Sequence, residues 1–380
     1  MLRTLSLLGC VFATASLCAA AGQGDKDLIV TSEGKNIYAY VYHEKVDVVE
    51  YKINEALPQM QTIRWREVAR IDYKGMTEDT SLYATGMREM AGGQYAVAAT
   101  RFEAVKNEGV QEGKEWKVAY GLLRQGECWE LAGAFDKAAE SYGEFTSSLP
   151  EHSLYTDALY RQGLALARAG KGGEAAPLVE TLNTIAKERR DRGAETRANA
   201  VLTAVAGESG DVGEASQLAR KVAFSPRDGD VLFHWGDYWA SFLLNQQEYD
   251  QAAREYKKLL SLVQGQPAVT ASLSLGYGIA LAKDDQKYKA LMAMMNLDAL
   301  PYGSPEQRLE ARYWIGRLKW ETAQENIDKP DERLAEFAKG QQAEARELLK
   351  EVADAGHSEA AAFVKTLPAA AEAEPEAAAK

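Results

Sequence analysis

Histidine is the side chain best suited to proton transfer and metal ligation near neutral pH. The chain carries four, His43, His152, His234 and His357, widely separated in sequence and in no metal-ligand spacing. His43 falls at a strand end, His152 in a loop and His357 near the last helix, so each reads as a solvated or packed imidazole. His234 lies on a helix face that could meet a ligand and is the one histidine kept as a site candidate. Cys128 precedes Trp129 within a helix and has no histidine in its own segment to lower its thiol, so it reads as a buried structural cysteine. Gly113-Lys114-Glu115 lacks the glycine spacing and hydroxyl residue of a phosphate loop, and Gly170-Lys171-Gly172-Gly173 reads as a turn between two helices. No serine sits in a nucleophile elbow. The residues therefore point to a non-enzymatic chain with no cofactor and no metal.

The elements that must position any site follow from length and composition. A chain of 380 residues exceeds one ordinary domain, and 46% hydrophobic residues suffice for a packed core. A net charge of −12 without a basic stripe is repelled by phosphate backbones and anionic lipid, so nucleic acid is not expected as a partner. Residues 1–21 read as a secretory signal: Arg3, an apolar run from Leu5 to Leu17, then Ala19-Ala20-Ala21 before a polar stretch. That run is too short to span a bilayer, and no other stretch is long and apolar enough. Only nine residues precede Cys10, too few for a lipoprotein signal there. The expectation is export to the periplasm or cell envelope. Cys10 and Cys18 fall within the signal, so the mature chain would keep only Cys128, without an internal disulfide.

Residues 27–75 alternate with period two and are rich in β-branched and aromatic side chains. Strands are expected at Leu28–Val30, Ile37–Tyr42, Val46–Ile53, Gln61–Trp65 and Ala69–Tyr73. Five short strands in so few residues fit a small, strongly bent β-barrel-like domain, and the order of turns resembles SH3-like or Sm-like barrels. Residues 368–380, an Ala/Glu tail, cannot bury enough surface to order the backbone.

Residues 78–367 have helical periodicity and an internal repeat. Gly86, Gly93, Tyr95, Ala98 and Phe102 make one unit, and Gly126, Gly133, Phe135, Ala138 and Tyr142 the next. Gly163, Gly170, Ala175 and Val179 follow, then Gly210, Val212, Ala215 and Ala219, ending near Pro226. Tyr249, Ala252 and Tyr256, with Ala240 in the glycine's place, make the fifth. Gly278, Ala290 and Met294, ending at Pro301, make the sixth, with a polar turn. The alanines at 98, 138, 175, 215, 252 and 290 recur in steps of 40, 37, 40, 37 and 38. A seventh unit fits Tyr313-Trp314-Ile315-Gly316 with Ala345 and Leu349, where a capping helix pair is an equal reading. Small residues let two helices cross closely, and the bulky partner fills the gap beside them. These residues resemble the tetratricopeptide repeat (TPR) family, whose usual period of about 34 is shorter. The resemblance implies a mainly α fold, a TPR-like α-solenoid of antiparallel helix pairs.

It also implies that first helices line a groove for a protein or peptide partner. By periodicity the groove positions are Tyr83, Met87 and Met90; Tyr120, Leu123 and Glu127; Tyr160, Leu164 and Arg168; Arg197; His234, Asp237 and Asn245; and Tyr313, Arg317 and Trp320. The basic and asparagine set with which this family clamps a C-terminal carboxylate is not found in these positions. The expected function is an exported scaffold that binds a protein or peptide partner. The alternative is a positioning protein for the cell wall or a polysaccharide, with weak glycan affinity through Trp235, Trp239 and Trp320.

Overall fold

The computed structural model describes residues 25–224, 230–263, 267–299 and 303–368. The signal and tail readings, and the turns at Pro226 and Pro301, lie outside them. The described residues fall into two packing units, one ending at Trp235 and the other beginning at Gly236.

The first unit opens with five strands: β1 (Asp27–Thr31), β2 (Asn36–Glu44), β3 (Val48–Lys52), β4 (Gln61–Arg64) and β5 (Val68–Asp72). All pairs are antiparallel, in the order β4-β3-β2-β1-β5. Alternation puts Ile29, Ala39, Val49, Tyr51, Val68 and Ile71 on the buried face. Register shifts at Val30/Thr31 and Val41/His43 bend the ribbon. The barrel expectation is corrected: β4 and β5 remain the two edges of an open sheet among the described residues. A four-residue β4 with mostly exposed side chains, followed by the 3₁₀ turn Trp65–Glu67, leaves too little strand to close the ring. The indole N–H of Trp65 donates to Lys45 O at 2.6 Å and pins that turn.

A single turn, α1 (Lys74–Thr77), leads into helix pairs. In the first unit these are α2 (Leu82–Ala91) with α3 (Tyr95–Glu112), α4 (Glu115–Leu131) with α5 (Phe135–Ser148), α6 (Tyr155–Arg168) with α7 (Gly172–Arg189), and α8 (Arg192–Glu208) with α9 (Val212–Ala219). Helix α10 (Asp230–Asn245) begins in the first unit. The second unit continues with α11 (Tyr249–Leu262), α12 (Pro267–Lys283), α13 (Lys287–Ala299), α14 (Pro305–Ile327), α15 (Glu332–Asp354) and the short α16 (Ser358–Thr366).

The repeat residues make the crossings. A Cβ added at Gly86 would lie 2.9 Å from the Phe102 ring, at Gly126 2.5 Å from Tyr142, and at Gly278 2.6 Å from Met294. Two pairings differ from expectation. Gly163 meets Val201 on the next unit's first helix rather than Val179, because α6 packs on α8 as well as on α7. In the fifth unit Gly236, not Ala240, faces its partner helix at Leu259, and Tyr256 packs on Gly276 of the following helix. Helices α14 and α15 are a genuine seventh hairpin with the same crossing, Gly316 against Leu349 at 2.8 Å, and α16 covers its end. At the hairpin turn Gly93, Gly133, Gly170 and Gly210 have positive φ, and Gln247 and Asp285 hold that conformation in the fifth and sixth units. The turn geometry thus persists where the glycine does not.

Candidate functional site

The sheet is docked on the second hairpin and the loop that follows it. Tyr73 stacks on Trp116 with ring centroids 5.0 Å apart, and Gly75 lets the backbone lie on the same indole. At the end of β2, the buried Glu44 carboxylate accepts hydrogen bonds from the hydroxyls of Tyr73 and Tyr120, the latter at 3.2 Å. Its own N–H donates to Glu115 Oε1 at 3.2 Å, and Glu115 Oε2 lies 2.7 Å from His43 Nδ1. Ser153 N–H donates to Glu44 O, Val46 N–H to Glu151 O, and Lys45 bridges to His152. Burial pushes the Glu44 carboxyl up to about 7, against the pull of the two tyrosine hydroxyls. Burial pushes His152 down to about 3; its ring lies edge-on to Tyr120 and Phe145.

Burial divides the expected groove positions. Tyr120 lies beneath the sheet at 8% exposure, and Leu123 beside it is buried. Tyr83 is buried edge-on to Phe102 and Trp116, and its hydroxyl accepts from Arg124 Nε at 3.3 Å. Tyr160 and Leu164 are fully buried. These rings and side chains hold hairpins together and present no face to a partner. Met87 and Met90 are half-buried, and Arg168 is exposed, stacked on the Phe135 ring at 4.0 Å.

What the first helices do bring together is a chain of charged and hydroxyl groups. Arg124 pairs with Glu127, whose other oxygen lies 3.3 Å from Arg161. Glu130 Oε2 accepts from Tyr142 Oη at 2.8 Å and lies 3.3 Å from His234 Nε2 and 3.8 Å from Arg161. His234 Nδ1 is 3.1 Å from Tyr160 Oη, and Arg197 Nε donates to Asp157 Oδ1 at 2.7 Å. The Phe224 ring lies edge-on to Tyr160, with the Arg197 guanidinium 5.8 Å from its centroid. Burial raises the Glu130 carboxyl, but His234, Arg161 and Tyr142 together outweigh it and hold the group below the usual carboxylate range. Glu130 Oε1 is buried with no hydrogen-bond partner. Of the expected groove residues, Glu127, Tyr160, Arg197 and His234 belong to this cluster. Arg124, Glu130, Arg161 and Asp157 escaped the sequence reading. Their signal was a charge set among the apolar positions of a first helix.

In the second unit Tyr313 is buried and stacks on His357 at 4.7 Å, its hydroxyl accepting from Arg317. Arg317 also pairs with Glu321. Trp320 is buried with Arg346 over its ring. Asp237 is half-buried and Asn245 exposed at the end of α10. The Trp235 and Trp320 rings, at 6% and 5% exposure, are not available to stack on a sugar, and Trp239 lies flat on Phe242 at 5.4 Å. Of the three tryptophans named for a glycan, only Trp239 is half-exposed.

Glycine-spaced hairpins with a bulky partner at each crossing and a positive-φ turn define this chain as a TPR-like α-solenoid, preceded by a small antiparallel sheet. Among solved structures, it is similar to the C-terminal part of a TPR repeat-containing protein from Cytophaga hutchinsonii, at 15% identity and a TM-score of 0.31, covering 73% of this chain and 98% of that one. No family model matches the sequence, and no curated protein matches it.

Proposed function

We propose that this chain is an exported, non-enzymatic scaffold of the cell envelope that holds a protein or peptide partner on its helical hairpins. The observation that carries the reading is the polar and aromatic cluster built from the first helices of successive units, Glu127, Glu130, Arg161, Arg197 and His234. That paired, largely buried row fixes successive hairpins against one another, which suits a rigid scaffold that presents the exposed side chains of its first helices to a polypeptide. Chemistry has less support. Burial pushes the Cys128 thiol up to about 12, leaving it inert, and the described residues contain no group of three or more side chains able to hold a metal. No helix among the described residues is long and apolar enough to cross a membrane. The N-terminal signal pattern supports export.

The test is purification of the tagged full chain from fractionated native cells after brief chemical cross-linking. The expected result is a chain in the envelope fraction, shortened at its N-terminus, with one polypeptide retained in near-stoichiometric amount. A full-length chain in the cytosolic fraction, or one that retains nothing, overturns the reading.

A further inference from the structure

The chain carries a net charge of −12, yet one end of its third and fourth hairpins is basic. Lys187, Arg189 and Arg190 close α7 and Arg192 opens α8, all four exposed. Antiparallel packing brings the end of α9 to the same side, with Arg220 and Lys221 exposed as well. The chain then turns inward to set Phe224 against Arg197, in the second turn of α8.

None of these six cations makes an ion pair with a described residue. Elsewhere in the first unit surface lysines are paired, as Lys106 is with Glu144, Lys117 with Glu108 and Lys171 with Asp136. Of the carboxylates close by in sequence, Asp191 is turned to the backbone, where it accepts from Gly193 N and Ala194 N. Glu188 and Glu195 are exposed and bridge none of the six.

Two of the cations stand where local stability disfavours them. Arg190 holds φ at 51°, the left-handed conformation that the turn between α3 and α4 gives to Gly113. Arg192 lies at the positive end of the α8 dipole, which favours an anion. Residues that break a local rule without a compensating contact mark function better than packing.

We propose that this end of the third and fourth hairpins is a docking corner for an acidic polypeptide segment, whose carboxylates Arg189, Arg190 and Arg192 take. The inference rests on the scaffold reading above and names the chemistry of its partner. A guanidinium meets a carboxylate with two parallel N–H donors, so the arginines set position as well as charge. A long polyanion would overrun the six cations onto a chain of net negative charge, whereas a short acidic segment spans them alone.

The test measures fluorescence anisotropy of a fluorescein-labelled twelve-residue peptide of alternating glutamate and alanine against the full chain. Binding should weaken at least tenfold in the double variant Arg190→Gly with Arg192→Glu. Glycine suits the left-handed turn and glutamate the start of a helix, so this variant should melt no lower than the wild-type chain. Lys257→Glu with Lys258→Gln makes the same change in net charge on exposed positions of α11 and should leave binding unchanged. Equal weakening by that control, no binding by the wild-type chain, or full binding by the double variant overturns the corner. Tighter binding of a sulfated oligosaccharide of matched charge, lost in the same double variant, overturns the polypeptide assignment. A partner retained from the envelope by the double variant as fully as by the wild-type chain removes the corner and leaves the scaffold standing.

Discussion

Gly121→Val should destabilise the first unit by about 3 kcal/mol, lowering the midpoint of its thermal transition by roughly 6–12 °C. A Cβ at this position would lie 2.9 Å from Lys106 N and 3.0 Å from Phe102 O, both backbone atoms of α3. Where the obstacle is the tip of a side chain, a rotamer change relieves it; a backbone obstacle forces the two helices apart. Helices α3 and α4 also meet at Gly109, where a Cβ would lie 2.8 Å from Val118 N, so the hairpins cannot slide to make room. Separating them strips burial from Phe102, Val105 and Leu122, each worth about 2 kcal/mol when fully removed from water. The contrast is Gly340→Ala on α15, where nothing lies within 4 Å. That change should stabilise the second unit by about 0.5–1 kcal/mol through backbone entropy alone. Calorimetry on both variants checks the pair. Equal small effects would mean that the crossings do not carry the packing.

The second large effect concerns protons at the docked sheet. Glu44 has its carboxyl raised to about 7 from 4.5, so the folded state holds a proton that the unfolded chain releases above 4.5. Its contribution to stability is full below pH 4.5 and is lost as pH rises toward 7. His152 is the reverse. Lowered to about 3 from 6.5, it stays neutral when folded, and its contribution is full above pH 6.5 and lost as pH falls toward 3. Between pH 4.5 and 6.5 each group has a slope of about 1.4 kcal/mol per pH unit, with opposite sign, and the two cancel. Relative to the wild-type chain, Glu44→Gln should therefore gain stability as pH rises through this window, and His152→Gln should gain it as pH falls. Denaturant unfolding at pH 4.5, 5.5 and 6.5 would show two mirror-image lines. Parallel lines would show that the junction does not bury these groups as described.

The hairpins were legible because the information is local. A glycine in one helix and an aromatic about sixteen residues later, as at Gly86 and Phe102 or Gly126 and Tyr142, state both the turn and the crossing. The five strands were legible for the same reason, since alternation such as Ile37 to Tyr42 needs no distant partner. The closure of the sheet was not, because it depends on the length of β4 and on what covers its neighbours. The groove was the harder case. Periodicity places Tyr120 and Tyr160 on the same side of their helices as Met87, but burial is decided by Glu44, Phe224 and His234, between 64 and 76 residues away. A helical wheel cannot tell a ring awaiting a partner from one already covered by its own chain. Glu130 and Arg161 were missed for a related reason: their value lies in mutual pairing across helices.

The measurement that bears most directly on the scaffold account is site-specific photo-cross-linking in native cells. A photoreactive side chain is placed singly at Met87, Met90 and Arg168 on the first helices, and at Val97 and Val110, exposed on α3. The account predicts one common adduct from the first-helix positions and none from the two valines. Adducts from Val97 and Val110 alone, or from no position, would contradict it.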